Sequence, residues 1–256
     1  MNQRHLILVF KKVYVYSMKL EVLDKPNLKK VKMNCDDCID DKLTKYPMSE
    51  DLWSHTSFNV ILGKMGSGKT SLITNLIKTI FKKCFHHIIV FIPETSRSSI
   101  ENDIYGKQIP PEDLYNDLTV ENLDEVMDKL EENSANGEFT LLLIDDFQAA
   151  LKNPNIINIL QKIVTRMRHL RTTIFILQQN FQKLAKFLRE LVTNVITFNT
   201  GKSSLNKLFD EIIQMDKKKY QELIDLVFVN KNDWIAINVN GSRNIYRMFD
   251  KIDLEE

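Results

Sequence analysis

The chain has 256 residues, 43% of them hydrophobic and 27% charged. That mix can bury one sizeable core, and it excludes both intrinsic disorder and a fibrous repeat. Lys+Arg at 35 against Asp+Glu at 34 gives a net charge of +1, which excludes a protein that coats nucleic acid by bulk charge, so any such contact must be local.

The first 50 residues are expected to form an extension with some strand. Val13 and Val15 alternate with Tyr14 and Tyr16, and the run meets Lys19 and Glu21 with no small-residue cleavage site, so a strand is predicted rather than a signal peptide. No apolar run approaches the roughly 20 residues that cross a bilayer, and no membrane span is expected. Three cysteines, Cys35, Cys38 and Cys84, suit a reducing compartment. Residues 51–256 form the main domain, with a core over 55–200 and C-terminal helices and a hairpin over 201–256.

From Phe58 the pattern becomes regular. FNVIL reads as a buried strand, and the apolar positions 72, 73, 76, 77, 80 and 81 mark one face of a helix. HHIIVFIP is a second strand ended by Pro93, residues 94–118 read as a long irregular excursion, and helix resumes over 120–130. FTLLLI (139–144) has the continuous apolar run of a central strand covered on both faces. Asn153-Pro154 opens a helix. Then come strand TTIFIL (172–177), a helix near 182–192, strand VITF (195–198), helices over 204–214 and 217–226, and strands WIAINV and NIYRMF joined at Asn240-Gly241. Strands alternating with helices predict an α/β fold: a mostly parallel central sheet flanked by helices, with an antiparallel C-terminal hairpin at the edge.

Gly63-Lys64-Met65-Gly66-Ser67-Gly68-Lys69-Thr70 satisfies the phosphate-loop pattern between a predicted strand and a predicted helix. Those eight residues, with Ser71 after them, are the candidate nucleotide-binding set. The glycines let backbone N–H groups turn in around the phosphates, and the helix adds its positive dipole end. Lys69 is expected to bridge the β- and γ-phosphates of ATP, and the Thr70 hydroxyl to ligate Mg²⁺. The strand ending in Asp145-Asp146 supplies the acidic half: Asp145 to join Thr70 on the metal, Asp146 to polarise the attacking water. Gln178 and Gln179 end the next strand, where one amide could touch the γ-phosphate or the water; alternation sends them to opposite faces, so one of the two serves. Arg166, Arg168, Arg171 and Arg189 are candidates for a cation supplied to a neighbouring subunit.

Weaker signals read as structure. Cys35 and Cys38 have the spacing of half a zinc site with no second half, and Lys217-Lys218-Lys219 reads as a wet helix face. Asn230-Lys231-Asn232-Asp233 spells a guanine-reading tetrapeptide, but Gln148 stands three places after Asp145, where a GTPase carries Gly. The tetrapeptide is therefore read as a turn.

Taken together, GKMGSGKTSL, LLLIDDF, the Arg168-His169 pair before a strand ending in Gln, and KLAKFLRELVTN resemble one family. It is the genome-packaging ATPases of large DNA viruses and virophages, the poxvirus-type branch of the FtsK–HerA superfamily. The resemblance covers about 55–200, and more loosely the C-terminal hairpin. It implies a RecA-like P-loop NTPase that assembles as a ring of five or six subunits and pumps double-stranded DNA into a preformed capsid, meeting portal or vertex proteins there. The same likeness makes Arg168 the trans-acting finger, Gln179 the sensor amide and Asp146 the occupant of the acidic slot, and sets the protein in the virion or the host-cell cytoplasm. Loops 94–118 and 201–204 are candidates for DNA contact. A small-molecule or nucleoside kinase and a nucleotide-gated scaffold are the competing readings.

Overall fold

The computed structural model describes residues 53–98, 100, 104–214, 216–239 and 244–252. The expectations for 1–50, the Cys35 and Cys38 pair among them, and for the Asn240-Gly241 turn lie outside the described residues. In chain order the elements begin with β1 (Phe58–Leu62), α1 (Lys69–Lys78), β2 (His87–Phe91), the short helices α2 (Glu94–Ser98) and α3 (Ile104–Gln108), and β3 (Leu114–Tyr115). There follow α4 (Val120–Ala135), β4 (Thr140–Ile144), α5 (Pro154–Thr165), β5 (Thr172–Gln178), α6 (Lys186–Glu190) and β6 (Asn194–Phe198). The chain continues through α7 (Lys202–Ile212), α8 (Lys217–Val227), β7 (Trp234–Asn238), β8 (Ile245–Arg247) and β9 (Asp250–Ile252).

The strands make one sheet in the order β3-β2-β4-β5-β1-β6-β7-β8-β9. It is parallel from β3 to β6 and antiparallel beyond. Every residue of β1, β4, β5 and β6 is buried. Strands buried along their whole length are covered on both faces, which parallel crossovers achieve. Alternation divides them: Phe175 and Leu177 join Ile73, Leu76 and Ile77 of α1 in one cluster. Ile174 and Ile176 join α4, α5, α7 and α8 in the other.

The positions of β1, β4 and β5 set up the site. The strand carrying the acidic pair does not lie beside the strand carrying the phosphate loop; β5 separates them, pairing Ile176 with Val60 on one side and Ile144 on the other. The C-terminal ends of all three therefore open at the same edge of the sheet.

Three elements differ from the sequence reading. The excursion 94–118 holds α2, α3, a 3-10 turn at Pro111–Asp113 and β3, which extends the sheet parallel to β2. Tertiary contacts order it: Tyr105 is fully buried with its hydroxyl 3.0 Å from the Thr74 hydroxyl, and the Tyr115 ring stacks on Phe91 at 4.8 Å. The helix expected near 182–192 is a 3-10 turn at Phe181–Lys183 followed by α6, because Leu184 and Ala185 are extended. The freed Leu184 carbonyl accepts a hydrogen bond from Arg189 at 2.7 Å. The C-terminal hairpin gains a third strand, β9, whose Asp-Lys-Ile sequence carries no strand pattern to read.

Candidate phosphate-loop site

The loop between β1 and α1 is held open by backbone geometry. The Gly63 N–H donates to the Gln178 carbonyl at 3.1 Å, fixing the loop's first residue to the end of β5. A side chain at Gly63 would collide with Ser67 Oγ. Gly66 and Gly68 have φ of 71° and 101°, the left-handed region that costs other residues strain. Gly68 is also the N-cap of α1 and offers no side-chain cap. The first-turn N–H groups of α1 are thus left facing outward with the helix's partial positive charge, the arrangement that receives a phosphate.

Lys69 curls back into this loop, donating from Nζ to the carbonyls of Gly63 at 2.8 Å and Lys64 at 3.1 Å. Burial lowers its pKa, and the carboxylates of Asp145 and Asp146 pull the other way. Thr70 donates from Oγ1 to Asp145 Oδ2 at 2.8 Å. Asp145 is 3% exposed, and burial pushes its carboxyl up to about 6; the Thr70 hydrogen bond and the Lys69 charge oppose that rise, and Asp146 adds to it. A carboxylate left this short of solvation is stabilised by a cation placed beside it. Two hard oxygens at hydrogen-bond distance, one from a hydroxyl and one from a carboxylate, fit Mg²⁺.

Asp146 differs from its neighbour. It is exposed, its φ is 65°, and its Oδ2 accepts a hydrogen bond from Ser96 Oγ at 3.0 Å. Gln178 is 2% exposed with a buried Oε1 that has no partner among the described residues. By alternation its side chain falls on the face of Ile174 and Ile176, and Gln179 follows in the bend just beyond the end of β5. A cavity of about 660 Å³ joins these parts, with Gly66, Lys69, Thr70 and Ser71 on one side and Asp145, Asp146, Gln178 and Gln179 on the other. Met65, at the loop tip, is 88% exposed and also lines it. Gly63, Lys64, Ser67 and Gly68 shape the loop without lining the cavity.

The arginines separate by their commitments. Arg166 pairs with Glu131 at 2.8 Å. Arg171 donates to the Gly137 carbonyl and lies 5.4 Å from the centre of the Phe139 ring. Arg189 pairs with Glu211 at 2.8 Å, donates to the Leu184 carbonyl and covers the Phe181 ring, so it ties α6 to α7. Arg168 is exposed and forms no ion pair with any described residue. It precedes β5, at the opposite end of that strand from Gln178, and the seven residues of β5 span roughly 20 Å at about 3.3 Å per residue.

Ser96 escaped the sequence reading, because a serine inside an apparently irregular segment carries no signal of its own. The tetrapeptide at Asn230 is a turn, closed by the Asp233 carboxylate on the Asn230 N–H at 2.7 Å and held by Arg247. Among the described residues no three of His, Cys, Asp and Glu gather as a metal cluster, and no helix is long and apolar enough to cross a membrane. Residues 201–204, read from the sequence as a loop, are instead the N-cap and first turn of α7; they border a groove of about 430 Å³ lined by Thr200, Lys202, Ser203, Ser204 and Lys207.

Comparison with known proteins agrees with this geometry. Residues 48–244 match the family described as Poxvirus A32 protein. A relative, the DNA packaging protein OPG160 of Variola virus, is 25% identical over 196 residues, covering 72% of this chain and 68% of its own. The same protein of Vaccinia virus (strain Copenhagen) is 26% identical over 195 residues, with the same shares covered. Among solved structures, the genome packaging NTPase B204 from Sulfolobus turreted icosahedral virus 2, in complex with AMPPCP, superposes with a TM-score of 0.58. It is 16% identical, covering 79% of this chain and 100% of that one. The cytoplasmic domain of the Thermomonospora curvata Type VII secretion ATPase EccC gives 0.52 at 11% identity, covering 79% of this chain and 26% of that one. At these identities the structural likeness fixes the fold, a P-loop ATPase fold.

Proposed function

Because the chain belongs to the Poxvirus A32 protein family, we propose that it is an ATP-hydrolysing motor that drives double-stranded viral DNA into a capsid. The observation that carries the hydrolytic half is the meeting, in one cavity, of Lys69 and Thr70 with Asp145, Asp146 and the two glutamines. The DNA half rests on the family and on the packaging role that its poxvirus relatives' names state.

In this reading the triphosphate lies on the open start of α1 with its β- and γ-phosphates among the loop N–H groups. The Lys69 ammonium exchanges the Gly63 and Lys64 carbonyls for phosphate oxygens. Thr70 and Asp145 would hold Mg²⁺, which when bound would neutralise charge on the phosphate oxygens. The Asp146 carboxylate takes the proton from the attacking water as the new O–P bond forms and the bond to ADP breaks. Gln179, lining the cavity just beyond β5, orients that water or senses the γ-phosphate, while the backbone carbonyl of Gln178 holds Gly63.

Arg168 sits at the wrong end of β5 to serve its own cavity, which supports a role at a neighbour's. A ring of five or six subunits would bring each Arg168 to the next subunit's phosphates. It would also surround the duplex with the segment 94–118 and the start of α7 at 201–204, each subunit supplying a few phosphate contacts, so a near-neutral chain suffices. The ring would act at a capsid vertex or portal, in the virion or the host-cell cytoplasm. Phosphate release by the full chain tests this: duplex DNA should raise the rate several-fold, and Lys69→Ala should remove it. Release indifferent to DNA, or transfer of phosphate to a nucleoside instead of water, would overturn the proposal.

A further inference from the structure

We infer that Ser96 is a positioning residue for hydrolysis, aiming the Asp146 carboxylate into the cavity. The inference rests on the reading of Asp146 as the group that takes the water's proton.

The two aspartates that close β4 face different tasks. Asp145 is buried and held by Thr70. Asp146 is exposed, and an exposed carboxylate turns freely about its two side-chain bonds unless something holds it. A base must present one oxygen at hydrogen-bond distance from the water, and freedom of that kind is paid in rate. The neighbouring structure supplies two constraints. The backbone at Asp146 lies at φ 65°, which turns its side chain out of the ordinary strand direction; aspartate tolerates this region better than most residues. The Ser96 hydroxyl then donates to Oδ2 at 3.0 Å, leaving Oδ1 as the oxygen for a water.

The placement of Ser96 makes this hold specific. It sits in α2, just beyond Pro93 and the end of β2, and β2 pairs directly with β4 along five residues from His87–Thr140 to Phe91–Ile144. The Asp145 N–H donates to the Phe91 carbonyl at 2.9 Å, so the segment bearing Ser96 and the segment bearing Asp146 leave the sheet side by side. Thr95 and Ser96 line the same cavity as Asp146. Further along, Tyr105 is fully buried with its hydroxyl 3.0 Å from Thr74 of α1. The chain after β2 therefore touches both halves of the site, the acid through Ser96 and the phosphate-loop helix through Tyr105.

A hydroxyl that aims the base without touching nucleotide should alter kcat and leave KM alone. We expect Ser96→Ala to lower kcat about 5- to 20-fold with KM for ATP within two-fold of the parent, and Ser96→Thr, which keeps the donor, to restore most of the rate. In an Asp146→Asn background, Ser96→Ala should have no further effect on the residual turnover, because the carboxylate it aims is gone. A parental kcat in Ser96→Ala, a matching rise in KM, failure of Thr to rescue, or an equal further loss in the Asp146→Asn background would each overturn the inference. The two readings fail separately. If Asp146→Asn hydrolyses ATP normally, the assignment of the base is wrong and this inference falls with it; if Asp146→Asn is inactive and Ser96→Ala is normal, only the role of Ser96 is wrong.

Discussion

Two strand-to-helix junctions meet at the cavity, and the chain finishes them in opposite ways. At β1–α1 the helix starts on Gly68, left-handed and without a capping side chain. At β4–α5 the helix starts on Asn153-Pro154, where the Asn153 amide oxygen accepts from the Asn155 N–H at 3.0 Å and proline fills a position that needs no donor. The helices α4 and α8 are closed like α5, by Thr119 and Asp216. A capped start gains stability by tying up one of its free N–H groups with its own side chain; an open one gives up that contribution and keeps the donor for phosphate. The second junction is instead costly before its helix begins, at Asp145.

That cost can be measured. Burial pushes the Asp145 carboxyl up to about 6, from 3.8 for the ordinary group. Below the unfolded pKa both states hold the proton and there is no penalty; as pH rises through the folded value the native state must bear a buried charge. At pH 7.5 without nucleotide or Mg²⁺, Asp145→Asn should therefore stabilise the protein by about 3 kcal/mol, the equivalent of about two pKa units. Denaturant melts at pH 7.5 and at pH 4 check this: the gain should shrink toward zero at the lower pH. A variant less stable than the parent at pH 7.5 would mean that the site is not strained by its own acid.

The smaller effect belongs to the capped junction. Asn153→Ala should cost about 1 kcal/mol of stability and leave ATP turnover per folded molecule unchanged. A drop in kcat at constant folded fraction would show that the two junctions are not independent.

How much of this was legible in the sequence follows the same division. The phosphate loop and the Asp145-Asp146 pair were readable because their chemistry is local: glycines, a lysine and acids at fixed spacing, each flanked by an apolar run long enough to name as strand or helix. The β5 strand was readable for its Thr172–Leu177 run, but not its place between β1 and β4, since strand order is set by how helices cover both faces of a sheet. The excursion after β2 was read as irregular because Pro110-Pro111 and its serines signal turns. Its order comes from Tyr105 and Tyr115, whose partners Thr74 and Phe91 are remote in the sequence. Ser96 was hidden for the same reason. The interruption at Leu184 and Ala185 has no Gly or Pro to announce it; the Asn180 side chain caps the preceding turn and Arg189 satisfies the carbonyl left behind. Arg189, a candidate finger by its charge, is the residue that makes this contact.

Calorimetric titration of the full chain with ATP in the presence of Mg²⁺ tests the central claim most directly. Binding at one site per chain, lost in Lys69→Ala and retained in Asp146→Asn, is the predicted result. An absence of binding heat from the parent at several temperatures, or equal binding by Lys69→Ala, would contradict it.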